Sequence, residues 1–268
     1  MVVPERDYSY NYASEHLKSF LEHEGYNLNI ITCETAIEAN EMVARGEADL
    51  TFVLNHSLFV ADTLSDQSSK LRTILPLFTR LMFFFSKTSD DTLSIQEQVR
   101  NKTIHLEVLN GETHLGLLEM FRIGSIDSVR FIDNGERDFH HFWGTFYGKR
   151  TQDLLNQGWH SLSLDENWSD FLLLNNPSLR PFELPSLPGV DGDHELKTVA
   201  TETLLVGSSR LGENAIHGLS EYIIQHKLKL LSYDRMYGAI DEHFNVETCS
   251  IHCMPALMLS FGGTNLHS

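Results

Sequence analysis

Two short turns that combine glycine with threonine stand directly before predicted helices and have the chemistry of an anion site. One covers residues 110–113, and the other covers residues 144–147 with Lys149 and Arg150 close behind it. Free backbone N–H groups and the helix dipole favour a negative charge at such positions. The pattern lacks the Lys-Ser/Thr pair of a Walker motif. The turns therefore predict either a bound anion or capped helix starts that hold no ligand.

Polar side chains also collect where a predicted strand ends. A helix over residues 35–45 stops at Gly46, a strand over residues 49–54 follows, and Asn55 and His56 come directly after it. Ligands of open α/β sheets bind outside the carboxyl ends of the strands. Asn55 and His56 therefore predict a ligand contact, although a purely structural turn satisfies the same pattern.

The residue types of enzymes and metal sites are present, but they lack a catalytic or metal-binding pattern. Asp133, Asp138 and His141 could be combined as catalytic partners, yet the chain has no G-x-S-x-G nucleophile elbow. The Cys249–Cys253 segment lacks the second ligand pair of a zinc site, so it indicates a structural turn or a local disulfide. We predict that the protein is not an enzyme and uses no metal and no cofactor.

Charge and hydropathy exclude several classes of partner. The formal net charge is -17, whereas nucleic acids and anionic membranes require clustered cations. No apolar stretch approaches the roughly 18 residues that a membrane span needs, and the longest, Leu81–Phe85, has the length of a strand. We therefore predict no nucleic-acid partner and no membrane span in this chain.

The first residues carry no signal peptide. Met1 leads into polar sequence without a cationic region followed by an apolar one. The chain begins almost inside its first predicted strand, at Val2. A cytoplasmic protein fits this start, and so does a longer protein in which a leader or a membrane anchor precedes Met1. We expect the second.

The elements that position the candidate residues alternate in type. Residues 5–12 predict a polar, tyrosine-rich turn, and a helix over residues 13–23 follows it. Up to residue 54 the order is β-α-β-α-β, which is typical of a parallel sheet. A second α/β unit follows between residues 94 and 174.

Two long β-rich stretches frame the second unit. Residues 71–86 exceed the length of an ordinary strand, and residues 197–206 form another strong strand, whereas the proline-rich segment 177–193 predicts an irregular connection. Strands that leave one lobe and enter another explain the two stretches. We predict an α/β, bilobal fold with a ligand cleft, in which lobe 1 comprises residues 1–77 and 198–268 and lobe 2 comprises residues 78–197.

An ordered series of motifs resembles one protein family. The stretch 35–53, which contains the run Gly46–Leu50, is similar to the "GGSxEN…GEADLGFV" block of the TAXI family, the extracytoplasmic solute receptors of TRAP transporters. Residues 9–12 stand where that family has a "GGTYY"-like turn, residues 110–113 resemble its "GSGT" turn, and residues 251–256 resemble its C-terminal "LHPGA" motif. The series covers nearly the whole chain.

The resemblance implies a type II periplasmic-binding-protein fold. It also implies a small carboxylate-bearing ligand, glutamate-like or a 2-oxo acid, and a TRAP-type membrane permease as the partner. The protein would then be periplasmic or extracytoplasmic, held at the membrane as a lipoprotein or through another segment absent from this chain. Carried over by position, the ligand-binding residues would be Tyr8, Ser9, Tyr10, Asn11, Tyr12, Thr35, Ala36, Asn55, His56, Asn110, Gly111, Glu112, Thr113, Gly144, Thr145 and Tyr147.

This chain departs from the family at the turns that would face the ligand. Glu34 and Glu112 stand where the family has small residues, and acidic side chains there would repel a carboxylate. Either these side chains point away, or the ligand also carries an amine or another cation, or the pocket has changed its use. The alternatives to a transport receptor are a ligand-sensing domain of a signalling protein, an enzyme on the same two-lobed scaffold, and an interaction module.

Overall fold

A computed structural model of the chain describes residues 1–23, 25–55, 70–88, 93–109, 111–145, 148–184 and 195–240. The strands are β1 (Val2–Pro4), β2 (Ile31–Cys33), β3 (Leu50–Leu54), β4 (Leu71–Ser86), β5 (Thr103–His105), β6 (Arg130–Ile132), β7 (Phe139–Gly144), β8 (His160–Ser161), β9 (Arg180–Leu184) and β10 (Leu196–Ser208). The helices are α1 (Tyr8–Glu22), α2 (Ala36–Arg45), α3 (Ile95–Val99), α4 (Glu112–Ile123), α5 (Lys149–Asn156), α6 (Glu166–Asn175), α7 (Glu213–Gln225) and α8 (Lys227–Tyr233), and a 3-10 helix covers Arg235–Ala239. None of these described helices combines the length and the apolar character that a membrane crossing requires.

Helix α1 begins earlier than the sequence predicted. Asp7 Oδ1 accepts a hydrogen bond from the backbone N–H of Tyr10 at 3.0 Å, which caps the first turn and starts the helix at Tyr8. The predicted turn over residues 5–12 is therefore wrong for its second half, which is helical. The tyrosine-rich composition favoured a loop, but the cap at Asp7 fixes helical backbone before Ala13.

The first three strands do not form one parallel sheet. Strands β1 and β2 pair in parallel with each other, as predicted, but β3 pairs antiparallel with β10. Strand β10 returns from the far end of the described chain and supplies the backbone partners of β3. The local β-α-β-α-β pattern contains no trace of this long-range pairing, which is why the prediction for β3 is wrong.

Two long strands cross the molecule side by side. Strands β4 and β10 pair antiparallel over most of their length, with shifts of register after Thr203 and after Leu205. Pro76 lies opposite the first of these irregularities, where its missing N–H does not interrupt a regular ladder. The prediction of long strands over residues 71–86 and 197–206 is confirmed.

The large sheet has the strand order β3-β10-β4-β7-β5-β6, with β8 paired to β4 and β9 paired to β10. Strand β9 corrects the prediction of an irregular segment over residues 177–193, because Arg180–Leu184 pairs antiparallel with β10. Pro181 is tolerated in this strand because the only strand partner of β9 within the described residues is β10, and prolines are found on such edge strands.

Two hydrophobic clusters cover the two faces of β4. Phe78 and Phe84 belong to the main core, whereas Phe83 and Phe85 pack with Phe142 in a second cluster. Side chains alternate between the faces of a strand, so β4 is buried on both sides. Packing on both faces holds β4 in place, and β4 carries Arg80, which lines the candidate site.

Candidate functional site

A cavity lies where elements that are distant in the sequence meet. Its volume is about 40 Å³, which holds only a few water-sized groups. The lining residues are Pro4 and Asp7 before α1, Thr35 and Ala36 at the start of α2, Arg80 of β4, Glu107, Val108 and Gly111–Thr113 at α4, and His141–Trp143 of β7. The structure thus brings together five residues that the sequence predicted for the site: Thr35, Ala36, Gly111, Glu112 and Thr113.

Two helix N-termini belong to the wall of this cavity. Thr35 caps α2, since its Oγ1 accepts the backbone N–H of Glu38 at 3.1 Å. Gly111 is the N-cap residue of α4 and has no side chain with which to cap the first turn. The start of α4 therefore retains the anion-binding chemistry that the sequence predicted for residues 110–113.

Arg80 is the cation of the cavity, and sequence reasoning missed it. Its side chain is 4% exposed, and Nη1 lies 3.0 Å from Asp7 Oδ2. Nη2 donates a hydrogen bond to the carbonyl of Trp143, and the guanidinium lies 5.0 Å from the ring centre of Tyr10. The sequence does contain a sign of this residue, which is an arginine inside the apolar run of β4. A charged residue is rarely buried in a strand unless another group pairs with it.

Glu112 is the buried acid of the cavity. The residue is 7% exposed, and its carboxylate accepts a hydrogen bond from the backbone of Leu54, at the end of β3. Burial raises the pKa of the Glu112 carboxyl to about 8, Arg80 lowers the pKa and Asp7 raises it. The carboxyl is therefore mostly protonated at neutral pH.

Glu34 and Glu112, the two acidic residues that replace small residues of the family pattern, have different surroundings. Glu34 is exposed, and its backbone N–H donates to Glu38 Oε2 at 2.8 Å. Glu112 is instead enclosed by the cavity wall. Of these two residues, therefore, only Glu112 lies where it can influence the charge preference of the cavity.

A second ion pair lies beside the first. Arg150 is paired with Glu107, and their side chains are 17% and 25% exposed. The Arg150 guanidinium stands 4.3 Å from the ring centre of Phe142. Burial lowers the pKa of Arg150 to about 10, so this residue stays charged at neutral pH and balances Glu107.

His141, a lining residue of the cavity, carries a buried hydrogen-bond acceptor. The residue is fully buried, and Nδ1 lies 3.0 Å from the carbonyl oxygen of Phe83, so Nδ1 carries the proton. Nε2 is then an acceptor, and it has no hydrogen-bond partner among the described residues. Burial lowers the pKa of His141 to about 3, which keeps the ring neutral. Asp138, which the sequence allowed as a catalytic partner of His141, accepts a hydrogen bond from the backbone N–H of Thr103.

The other predicted contacts do not line this cavity. Successive side chains at the start of α1 point in different directions around the helix axis. Tyr8 and Tyr12 are therefore exposed, whereas Tyr10 is buried. Residues away from the cavity wall are Tyr8, Ser9, Tyr10, Asn11, Tyr12, Asn55, Gly144 and Thr145. His56, Asn110, Tyr147 and the Cys249–Cys253 segment lie outside the described residues.

Solved structures share the architecture, although no protein-family model and no curated protein matches the sequence. XAC2383 from Xanthomonas citri, bound to ATP, aligns with a TM-score of 0.53 at 10% identity over 93% of this chain and 94% of its own. An ancestral arginine-binding protein bound to arginine gives 0.51 at 11% identity over 85% and 86%. The GluR0 ligand-binding core with L-glutamate gives 0.51 at 10% identity over 85% and 89%.

The chain has the bilobal α/β fold of periplasmic binding proteins. The fold class predicted from the sequence is thereby confirmed. Identities near 10% show the fold alone, and the bound molecules of these structures, ATP, arginine and L-glutamate, differ in chemistry. The ligand must therefore be argued from the site. The TAXI family and the lobe boundaries at residues 77 and 197 stay predictions.

Proposed function

We propose that the protein is a non-catalytic, extracytoplasmic solute-binding protein that captures a small carboxylate-bearing ligand for delivery to a TRAP-type permease. The observation that carries this proposal is the convergence of Arg80 and the N-terminus of α4 on one cavity. A guanidinium and a helix N-terminus are both complementary to a carboxylate. Thr35 and Thr113 add hydroxyl groups at the same wall.

The proposed function includes an opening of the cavity. About 40 Å³ holds only a few water-sized groups, so in this proposal the walls separate before a ligand of amino-acid size enters. The long strands β4 and β10 are the natural hinges of a two-lobed protein divided at residues 77 and 197. A ligand that contacts both lobes then stabilises the closed conformation and shifts the population toward it.

Native mass spectrometry of gently purified protein, followed by a thermal-shift screen, tests the proposal. The panel comprises amino acids, 2-oxo acids and dicarboxylates. A ligand at 100 times its dissociation constant stabilises the folded state by about 2.7 kcal/mol, which gives a clear rise in melting temperature. We expect a saturable shift from one small acid.

Two threonine variants make the screen specific for the cavity. Thr113→Val removes a hydroxyl from the cavity wall and is expected to abolish the shift. Thr88→Val, at an exposed position outside that wall, is expected to retain it. No shift across the panel, together with no co-purified mass, would contradict the proposal.

A further inference from the structure

Strands β5 and β7 lie side by side, and both lead into the wall of the cavity. The last pair of the parallel ladder between them is His105 opposite His140. Glu107, two residues beyond His105, lines the cavity, and so do His141–Trp143, which follow His140 directly. The pair of histidines therefore joins the two strands at the point where each of them enters the wall.

The two imidazole rings share one proton. His105 Nε2 lies 3.0 Å from the carbonyl oxygen of Asp133, so Nε2 carries a hydrogen and Nδ1 of the neutral ring has a lone pair. His140 Nδ1 lies 3.1 Å from His105 Nδ1 and is therefore the donor. The contact remains a hydrogen bond only while at least one of the two rings is neutral.

Positive side chains from several elements face the pair. Arg150 of α5 and Arg137, which lies between β6 and β7, face His105. Arg137 and Lys87, the residue after β4, face His140. These cations oppose an added positive charge on either ring.

The other neighbours of the pair compensate little of this positive charge. Asp133, after β6, faces His105, and Glu107 is paired with one of the cations. The ring of Trp159 packs edge-on against His140, with the ring centres 4.4 Å apart. Burial lowers the pKa of His105 to about 4 and that of His140 to about 3, and the neighbouring cations lower both further. Both rings are therefore neutral at pH 7.

We infer that the His105–His140 pair is an acid-operated switch that separates β5 from β7 and so opens the wall of the cavity. One added proton places a positive charge beside the cations, and a second sets two N–H groups face to face at 3.1 Å. Water solvates both charges once the strands have parted. A ligand held by this wall is then released; that consequence rests on the proposed function, whereas the separation of the strands does not.

The switch couples the opening of the strands to the uptake of protons. In the open state each ring has the ordinary pKa of about 6.5, so each ring gains close to one proton on opening between pH 6 and pH 5. Two protons raise the equilibrium constant of opening by up to about a hundredfold for each unit of falling pH. Above about pH 8 neither ring changes its charge on opening, and the coupling disappears.

Hydrogen–deuterium exchange of the ligand-free protein measures this opening strand by strand. Exchange of the backbone amides is followed by mass spectrometry from pH 7 to pH 5 and corrected for the intrinsic pH dependence of amide exchange. Between pH 6 and pH 5 we expect the opening constant of β5 and β7 to rise more than about tenfold. Helix α2 should show a smaller rise, which distinguishes separation of the strands from unfolding of the whole protein.

A substitution at one histidine assigns the effect to the pair. His105→Asn keeps an acceptor opposite His140 Nδ1 but takes up no proton, so one of the two protons is lost from the coupling. The rise of the opening constant per pH unit should therefore be about tenfold smaller than in the wild type. His160→Asn, at an exposed position of β8, is the matched control and should behave as the wild type.

The outcomes separate this inference from the proposed function. An opening constant of β5 and β7 that stays the same from pH 7 to pH 5, or an unchanged slope in His105→Asn, overturns the inference and leaves the proposed function standing. Opening with the expected slope, in a protein that binds no ligand of the panel, supports the inference and removes only the proposed function.

Nitrogen-15 NMR of the wild-type histidine rings keeps the inference testable even if His105→Asn does not fold, which circular dichroism verifies. At pH 7 we expect the hydrogen of His105 on Nε2 and that of His140 on Nδ1. The opposite tautomer of either ring, or a ring that is positively charged at pH 7, overturns the inference.

Discussion

At the scale of residues, the candidate site is a buried charge cluster in which protonation states follow from position. Arg80 is closely paired with Asp7, whereas Glu112 and His141 are kept neutral at pH 7 by burial. Breaking a buried ion pair leaves a charge without compensation, which costs about 3–5 kcal/mol. Such a cluster persists only where the surrounding packing holds it, and its neutral members titrate when a ligand or the pH changes.

We predict that Glu112 makes the protein less stable as the pH rises from about 5 to 8. Its carboxyl has a pKa of about 8 in the folded state against about 4.3 in the unfolded chain. In this window the folded state binds more protons than the unfolded state, so the free energy of unfolding falls with pH by at most about 1.4 kcal/mol per unit. Glu112→Gln should remove this contribution.

His141 should act in the opposite direction. Its pKa is about 3 in the folded state and about 6.5 in the unfolded chain, so its contribution to stability is lost as the pH falls below 6.5. Urea unfolding from pH 4 to pH 9 measures both slopes. The stability of Glu112→Gln relative to the wild type should rise with pH, and Glu119→Gln should show no such trend. Parallel curves for Glu112→Gln and the wild type would show that Glu112 is ionised in the folded state.

At the scale of elements, the N-terminal end of helix α4 lines the cavity, and its C-terminal end packs closely against Trp168. Gly124 follows the helix, and a Cβ atom built there would lie 2.6 Å from Cζ3 of the Trp168 ring. Trp168 is itself buried against Phe121 and Phe171, so the ring has little room to move. The close approach of Gly124 therefore fixes the position of α4 and, with it, of Gly111–Thr113.

We predict that Gly124→Ala destabilises the protein by about 1–3 kcal/mol through overpacking. Gly218→Ala is the matched control, because it lies inside α7 with nothing within 4 Å of the added methyl group. That change should stabilise the protein by about 0.5–1 kcal/mol, since alanine is the better helix former. Urea unfolding of both variants is the measurement. Equal gains in stability would mean that Trp168 does not hold the end of α4.

At the scale of the whole molecule, the proposed function implies two conformations, one open and one closed. In the described structure, Glu112 of α4 contacts the backbone of Leu54 in β3. Under the proposed function, a ligand enters while α4 and β3 are apart, and its contacts to both sides then favour closure. The charge of -17 adds repulsion between the proposed lobes, which favours the open state at low salt.

We predict that the ligand identified by the screen lowers the radius of gyration of the protein. Small-angle X-ray scattering with and without the ligand measures the change, and it should be largest at low ionic strength, where the free protein opens most. Thr113→Val, with weakened binding, should need a higher ligand concentration for the same decrease. A radius that stays constant at saturating ligand would argue for a rigid pocket and against hinge motion at β4 and β10.

The sequence by itself determined the features that depend on neighbouring residues. The glycine stop at Gly46 adopts φ 74°, as a helix end requires. A serine followed three residues later by a glutamate is the signature of a capping box, and Ser94 and Glu97 form one. Of the predicted helix start, Gly111–Thr113 line the cavity. Caps, turns and long apolar strands depend on residues that are close together in the sequence, so they can be predicted without a structure.

Only the tertiary structure decided which of those features form a site. The Arg80–Asp7 pair joins residues 73 positions apart, and no spacing rule connects them. The antiparallel pairing of β3 with β10, and the contact of Glu112 with Leu54, likewise depend on chain segments that meet through folding. Burial and charge at Glu112 and His141 are set by this approach of distant elements, because desolvation depends on everything that surrounds a group.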